Sequence, residues 1–271
     1  MGRKAGFSVA LLFALLMVSA CSGMPSGVAY VDPATLESAG FEVVDLPAPI
    51  TALRRESPGS EPDEPWHLYI EGDGNAWRRG RPTSNPTPRT PVATYLALSD
   101  GAARVAYIGR PCQWSTPLPS ICQPSLWTID RYGGRVQQWF LHAIRTVSGD
   151  SPLVLVGFSG GAHLAVQVAP QLPNLLGVVS VAGNLNDAYF ADYHGLPDPE
   201  HIPAIPLEVP LWSLSGGEDR VIPPDLTKFM LRDHRDACQS HRILEGAGHA
   251  GPWSLDWAQI WPFMAACISE D

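Results

Sequence analysis

Three residue types that can together perform acyl transfer follow one another along this 271-residue chain. Ser159 lies in Gly157-Phe158-Ser159-Gly160-Gly161, Asp219 in Ser215-Gly216-Gly217-Glu218-Asp219, and His249 in Glu245-Gly246-Ala247-Gly248-His249. A serine hydroxyl attacks a carbonyl only when a base takes its proton, and the base in turn needs an orienting carboxylate. The bare Gly-x-Ser-x-Gly pattern is weak, since at ~7% per residue type it arises in roughly one chain in ten of this length. Its setting carries more. A Val-Leu-Val strand at 153–156 precedes it and a small-residue helix at 160–169 follows. A sharp strand–Ser–helix turn strains the serine backbone and fits only with glycines two residues to either side. It lifts the hydroxyl to the carboxyl edge of the sheet, where open α/β folds bind ligands. It also aims the Gly160 N–H, at the helix start, toward an oxyanion forming beside Ser159.

The companions are chosen from competitors. Glu218 adjoins Asp219 and could also be the orienter; the resemblance described below favours the later position. His194 and His201 precede the acid, and His234 and His241 precede the last strand, so all four read as solvated surface. His163, four residues after Ser159 on one helix, reads as packing. The second oxyanion donor is expected after an early strand, in Glu71-Gly72-Asp73-Gly74, as the backbone N–H of Asp73. Its alternative is an Asx turn made by the Asp73 side chain with Asn75. Phe158, Tyr189, Phe190, Tyr193 and Trp253 are expected to line an apolar acyl pocket. Arg78, Arg79 and Arg81 read as a solvated loop rather than an anion site.

These residues need a sheet to hold them. Short strands are expected at 41–46 and 50–53, then at 66–70, 104–108, 153–156, 176–181, 211–214 and 243–244. A short helical turn is expected at 33–39. Thr90-Pro91 fits N-cap plus first residue of a helix at 92–98. Val136, Trp139, Phe140, Ala143, Ile144 and Val147 step by three and four, an amphipathic helix over 134–147. A last helical stretch lies near 254–267. Buried apolar strands alternating with helices predict an α/β fold with a mostly parallel sheet covered on both faces. Residues 41–271 are expected to form the domain, with 185–209, Pro- and aromatic-rich and without a clear period, as a small cap.

Tyr-Ile-Glu-Gly-Asp-Gly, Gly-Phe-Ser-Gly-Gly-Ala, Gly-Gly-Glu-Asp-Arg-Val-Ile-Pro-Pro and Gly-Ala-Gly-His, in that order, resemble the α/β-hydrolase superfamily. More narrowly the chain is similar to α/β-hydrolase lipoproteins of Gram-negative bacteria, over residues 35–267. The resemblance implies an α/β-hydrolase fold and serine-dependent ester hydrolysis, with Ser159 as nucleophile, His249 as base and Asp219 as orienter. No cofactor is expected, and no Cys-x-x-Cys spacing supports a metal site. This chain carries Glu71 and Asp73 where many lipases and esterases of the superfamily carry His-Gly-Gly-Gly. A peptidase or thioesterase would use the same three residues, and a non-catalytic binding lipoprotein on this fold is the reading from a different class.

Composition limits the surroundings. The formal charge is 18 − 27 = −9, with 45% apolar and 17% charged residues. An acidic chain lacks the basic face a nucleic-acid binder needs, and the apolar share excludes wholesale disorder. Arg3 and Lys4 precede an uncharged run from Ala5 to Ala20, about the length of a signal-peptide core and short for a span of ~20 residues. Val18-Ser19-Ala20-Cys21 resembles a bacterial lipobox, so 1–20 is expected to be a lipoprotein signal, Cys21 the lipidation site and 21–40 a tether. Without Arg3 and Lys4 the charge is 16 − 27 = −11. The expected setting is an exported lipoprotein anchored to a membrane, most simply the outer membrane facing the periplasm, acting on a small-molecule or lipid-like ester. Of five cysteines, four remain after Cys21. Three pairings are possible; those expected in an oxidising compartment are Cys112 with Cys122, pinning a Pro-rich loop, and Cys238 with Cys267, tying down the C-terminal segment.

Overall fold

A computed structural model describes residues 31–196, 207–235 and 237–269. The expected signal peptide, Cys21, the first part of the tether, His201 and residues 197–206 of the expected cap lie outside them. Eight strands form one sheet: β1 (Glu42–Val44), β2 (Ala52–Glu56), β3 (Trp66–Ile70), β6 (Arg104–Ile108), β7 (Leu153–Phe158), β8 (Leu175–Val181), β9 (Leu211–Gly216) and β10 (Gln239–Leu244). Their order is β1-β2-β6-β3-β7-β8-β9-β10. Only β2 runs against its neighbours β1 and β6; the remaining pairs are parallel.

Both faces are apolar because successive strand residues point opposite ways and both sides are covered. Leu68, Ile70, Leu153 and Leu155 pack on one side with α3 (Gly134–Ser148), α4 (Gly160–Val168) and α6 (Pro224–Met230). Tyr69, Val154, Val156 and Val179 pack on the other with α1 (Pro33–Ser38), α2 (Val92–Ser99) and α7 (Trp257–Ile268). Register then gathers the motifs. Ile70 pairs Gly157, Phe158 pairs Val181, Val181 pairs Leu214, and Gly216 pairs Leu244. The segments that begin at Glu71, Ser159, Gly217 and Glu245 therefore leave the sheet along one edge.

The differences from expectation have local causes. Helix α2 starts at Val92 with Pro91 at its N-cap, and Thr90 does not cap it. The carboxylate of Glu71 takes that role from a distance: its Oε1 accepts the Ala93 N–H at 3.4 Å. A helix α5 (Asp187–His194) stands inside the expected cap, capped by the Asn186 side chain on the Tyr189 N–H. A two-stranded hairpin, β4 (Trp77–Arg78) with β5 (Arg81–Pro82), occupies the expected Arg-rich loop. Cys112–Cys122 and Cys238–Cys267 are bonded. The first closes a loop between β6 and α3, and the second ties the entry of β10 to α7. Among the described residues no helix is long and apolar enough to cross a membrane.

Candidate active site

Ser159 sits between β7 and α4 with φ 50° and ψ −121°, a conformation that ordinary side chains rarely adopt. The surrounding packing enforces it. A Cβ added to Gly157 would lie 2.4 Å from the backbone of Ala162, and one on Gly161 would lie 2.4 Å from the Ile70 carbonyl oxygen and 2.7 Å from that of Glu71. Both obstacles are main chain and cannot swing aside. Gly161→Ala is therefore expected to destabilise the fold by about 1–3 kcal/mol through overpacking, read as a lowered Tm with loss of activity. An unchanged Tm would contradict this picture of the turn.

The Ser159 hydroxyl lies 3.1 Å from His249 Nε2, and His249 Nδ1 lies 2.9 Å from Asp219 Oδ2. The Asp219 side chain is fully buried while that of His249 is 23% exposed, so only the outer end of the relay faces the cavity. Asp219 Oδ1 accepts the N–H groups of Val221 and Ile222 at 2.7 and 2.9 Å. That leaves Oδ2 for the imidazole. Glu218 is exposed and takes no part. The His249 loop is braced by Trp253, whose indole N–H donates to the His249 carbonyl at 3.0 Å.

Gly160 follows Ser159 and packs against Asp73: a Cβ added to it would lie 2.0 Å from Asp73 Oδ1. Among the described residues neither of their N–H groups has a protein acceptor, which suits two donors kept for an oxyanion. The Asp73 side chain makes no Asx turn. It accepts from Arg110 Nη1 at 2.6 Å and from Tyr132 Oη at 3.1 Å, and pairs with Arg131 Nε at 3.2 Å. Burial pushes this carboxyl up, but the two guanidiniums prevail and hold it below the usual carboxylate range.

A cavity of about 570 Å³ opens over Ser159 and His249. Phe158 and Phe190 line it, as expected from sequence, with Trp77, Leu196 and Val221. Three of the five expected aromatics do not. Tyr189 turns away to pack edge-on against Phe229, Tyr193 is 53% exposed against His194, and Trp253 is buried beneath the histidine loop. Arg78, Arg79 and Arg81 are exposed on the hairpin; the arginines at the cavity are Arg89 and Arg131.

Two histidines, His234 and His241, depart from the surface reading, whereas His194 is exposed and His163 packs as expected. His234 is 2% exposed, and burial lowers its pKa. His241 is half-buried, bonded to Ser215 Oγ at 2.9 Å, and is likewise lowered by burial. His194 is exposed with Nε2 on the Val221 carbonyl at 2.7 Å and borders the cavity. His163 packs against the Tyr132 ring, and burial drives its pKa down to about 3, leaving it neutral.

Glu71 was not among the candidates, and it lines the cavity 1% exposed. Burial pushes its pKa up to about 7 against the pull of the Gly72, Ala93 and Thr94 N–H groups. In the unfolded chain the same carboxyl titrates near ~4.3. Between those two pH values the folded state binds the extra proton, so this group's contribution to stability falls as pH rises and stays lost above about 7. Glu71→Gln, neutral throughout, is expected to match wild-type Tm only below about pH 4, to gain on it as pH rises to about 7 and to keep that gain above. Parallel Tm curves would contradict the assignment.

Comparison with known proteins places this geometry in context. The profile of the Dienelactone hydrolase family matches residues 131–251, which contain Ser159, Asp219 and His249. An α/β serine hydrolase homologue from Coxiella burnetii is similar in structure, with 14% identity, a TM-score of 0.52 and coverage of 85% of this chain and 96% of that one. XC6422 from Xanthomonas campestris, an α/β serine hydrolase without a lid, has 14% identity, a TM-score of 0.51 and coverage of 85% and 93%. Est1E from Butyrivibrio proteoclasticus has 13% identity, a TM-score of 0.51 and coverage of 84% and 99%. No curated protein sequence matches the chain.

Proposed function

We propose that this chain, an α/β-hydrolase by fold, is a serine hydrolase that cleaves carboxylic esters through an acyl-enzyme. The observation that carries the proposal is the unbroken relay from Ser159 Oγ through His249 to Asp219, beside two N–H groups without protein acceptors. Ser159 Oγ attacks the ester carbonyl while His249 Nε2 takes the hydroxyl proton. Asp219 stabilises the imidazolium, and the N–H groups of Asp73 and Gly160 hold the oxyanion. Collapse of the tetrahedral intermediate expels the alcohol, which receives the proton from His249. Water, deprotonated by His249, then attacks the acyl-serine, releasing the acid and restoring Ser159.

The cavity supports acyl groups of short to medium length. Phe158, Phe190, Leu196 and Val221 supply apolar wall, and about 570 Å³ falls within the ~300–1,000 Å³ of ligand pockets. A p-nitrophenyl ester series of increasing acyl length is expected to show hydrolysis that peaks at short or medium chains. Absence of hydrolysis across the series, with turnover of acyl-CoA or peptide substrates, would replace the ester reading by a thioesterase or peptidase one.

The same proposal anchors the enzyme to a membrane through lipid on Cys21. Incorporation of labelled palmitate into the expressed protein, abolished by Cys21→Ala, is the expected result; equal labelling of that variant would overturn it.

A further inference from the structure

The proposed oxyanion donor on Asp73 belongs to the peptide unit between Gly72 and Asp73. Glycine is conformationally permissive, so this peptide could rotate and present its carbonyl instead of its N–H. A carbonyl oxygen facing a developing oxyanion would repel it. Something must hold the unit in one orientation.

Gln113 does so from beneath. It is fully buried, and its Nε2 donates to the Gly72 carbonyl oxygen at 3.0 Å. Its Oε1 accepts the Arg110 N–H at 2.9 Å, which settles which end of the amide faces which partner. In a planar trans peptide the C=O and N–H point in opposite directions. With the carbonyl drawn inward by Gln113, the Asp73 N–H faces outward. The segment runs past the serine: a Cβ built on Gly72 would lie 3.2 Å from Ser159 Cβ, and Asp73 and Ser159 line the same cavity. Arg131 holds the next atoms along. Its Nε lies 3.2 Å from Asp73 Oδ2, a charge pair without a hydrogen bond, and its Nη2 donates to both carboxylate oxygens of Asp187 at 2.6 and 2.8 Å. Asp187 opens α5, the helix that brings Phe190 and His194 to the cavity.

We infer that Gln113 and Arg131 are positioning residues for the reaction: Gln113 fixes the carbonyl side of the Gly72–Asp73 peptide, and Arg131 fixes its aspartate while tying it to α5. The inference rests on the serine-hydrolase reading of this site. Neither residue touches the reacting atoms. They act by keeping one N–H aimed at a charge that exists only in the transition state; Gln113 lies outside the cavity lining, so its loss falls on kcat and not on KM.

The test is kcat and KM of Gln113→Met for a short-chain p-nitrophenyl ester, with the rate of fluorophosphonate labelling and Tm measured alongside. Complete loss of one oxyanion donor costs about 10²–10³ in kcat. A donor left in place but free to rotate is expected to cost roughly 10–100-fold, with KM within about threefold and labelling slowed in parallel. Arg131→Lys, which keeps a charge beside Asp73, is expected to retain more kcat than Arg131→Met. If Gln113→Met fails to fold, Gln113→Asn, one methylene too short to reach Gly72, carries the same expectation. An active, readily labelled wild type beside Gln113 variants that keep kcat, or that lose only KM or Tm, would overturn the positioning role alone. A wild type that is neither active nor labelled would overturn the underlying serine-hydrolase reading, and the positioning role with it.

Discussion

Replacing Ser159 by alanine is expected to lower kcat for a p-nitrophenyl ester by about 10⁵–10⁶-fold, the scale seen when the nucleophile of a serine relay is removed. The hydroxyl's hydrogen bond runs to His249 Nε2. Its loss therefore removes the attacking atom without removing a brace of the fold. The strained turn is secured by main chain instead: the Ser159 N–H donates to the Val181 carbonyl, and the Ser159 carbonyl accepts from Ala162 and Asn184. Tm should stay close to wild type. A small residual rate above water should persist, because the oxyanion donors and the cavity remain. Retention of more than a few per cent of wild-type kcat would mean that another group attacks the substrate.

Asp219→Asn is expected to cost about 10⁴ in kcat with little change in KM, and the reason is a tautomer. Asp219 Oδ1 accepts two main-chain N–H groups, from Val221 and Ile222. An asparagine at this position must keep its carbonyl oxygen there, which forces its NH₂ toward His249. That NH₂ can only donate, so His249 Nδ1 becomes the acceptor and the ring proton moves to Nε2. A protonated Nε2 cannot take the Ser159 proton. The steady-state rate of the purified variant checks this; a loss under tenfold would show that Asp219 does not set the histidine's tautomer.

The parts of this site that show in the amino-acid sequence are those a single local segment defines. Gly157, Gly161 and Ser159 announce a turn because steric limits on the backbone act within five residues. Asp219 and His249 are visible because glycines put each just after a strand. Buried central strands such as β3 and β6 stand out as apolar runs with both faces covered. The edge strand β10, Gln-Ser-His-Arg-Ile-Leu, is half solvated and shows only in its last two residues. Helix α5 has no apolar stripe; it is held instead by the Asn186 cap and the ion pair from Asp187 to Arg131. Gln113, Arg131 and Glu71 were invisible for the same reason. Their partners lie 41, 58 and 22 residues away, at Gly72, Asp73 and Ala93, and local patterning carries no such information. Residue type alone suggests Tyr189, Tyr193 and Trp253 for the pocket, whereas side-chain direction, which residue type does not reveal, points them elsewhere.

Fluorophosphonate labelling followed by peptide mapping tests the central claim most directly, because the reagent bonds only to a serine that its neighbours have activated. The folded wild-type protein is expected to take up one label, on the peptide bearing Ser159, and Ser159→Ala and His249→Ala to take up none. An unlabelled wild type, or Ser159→Ala labelled as fast as wild type, would contradict the assignment of Ser159 as the nucleophile.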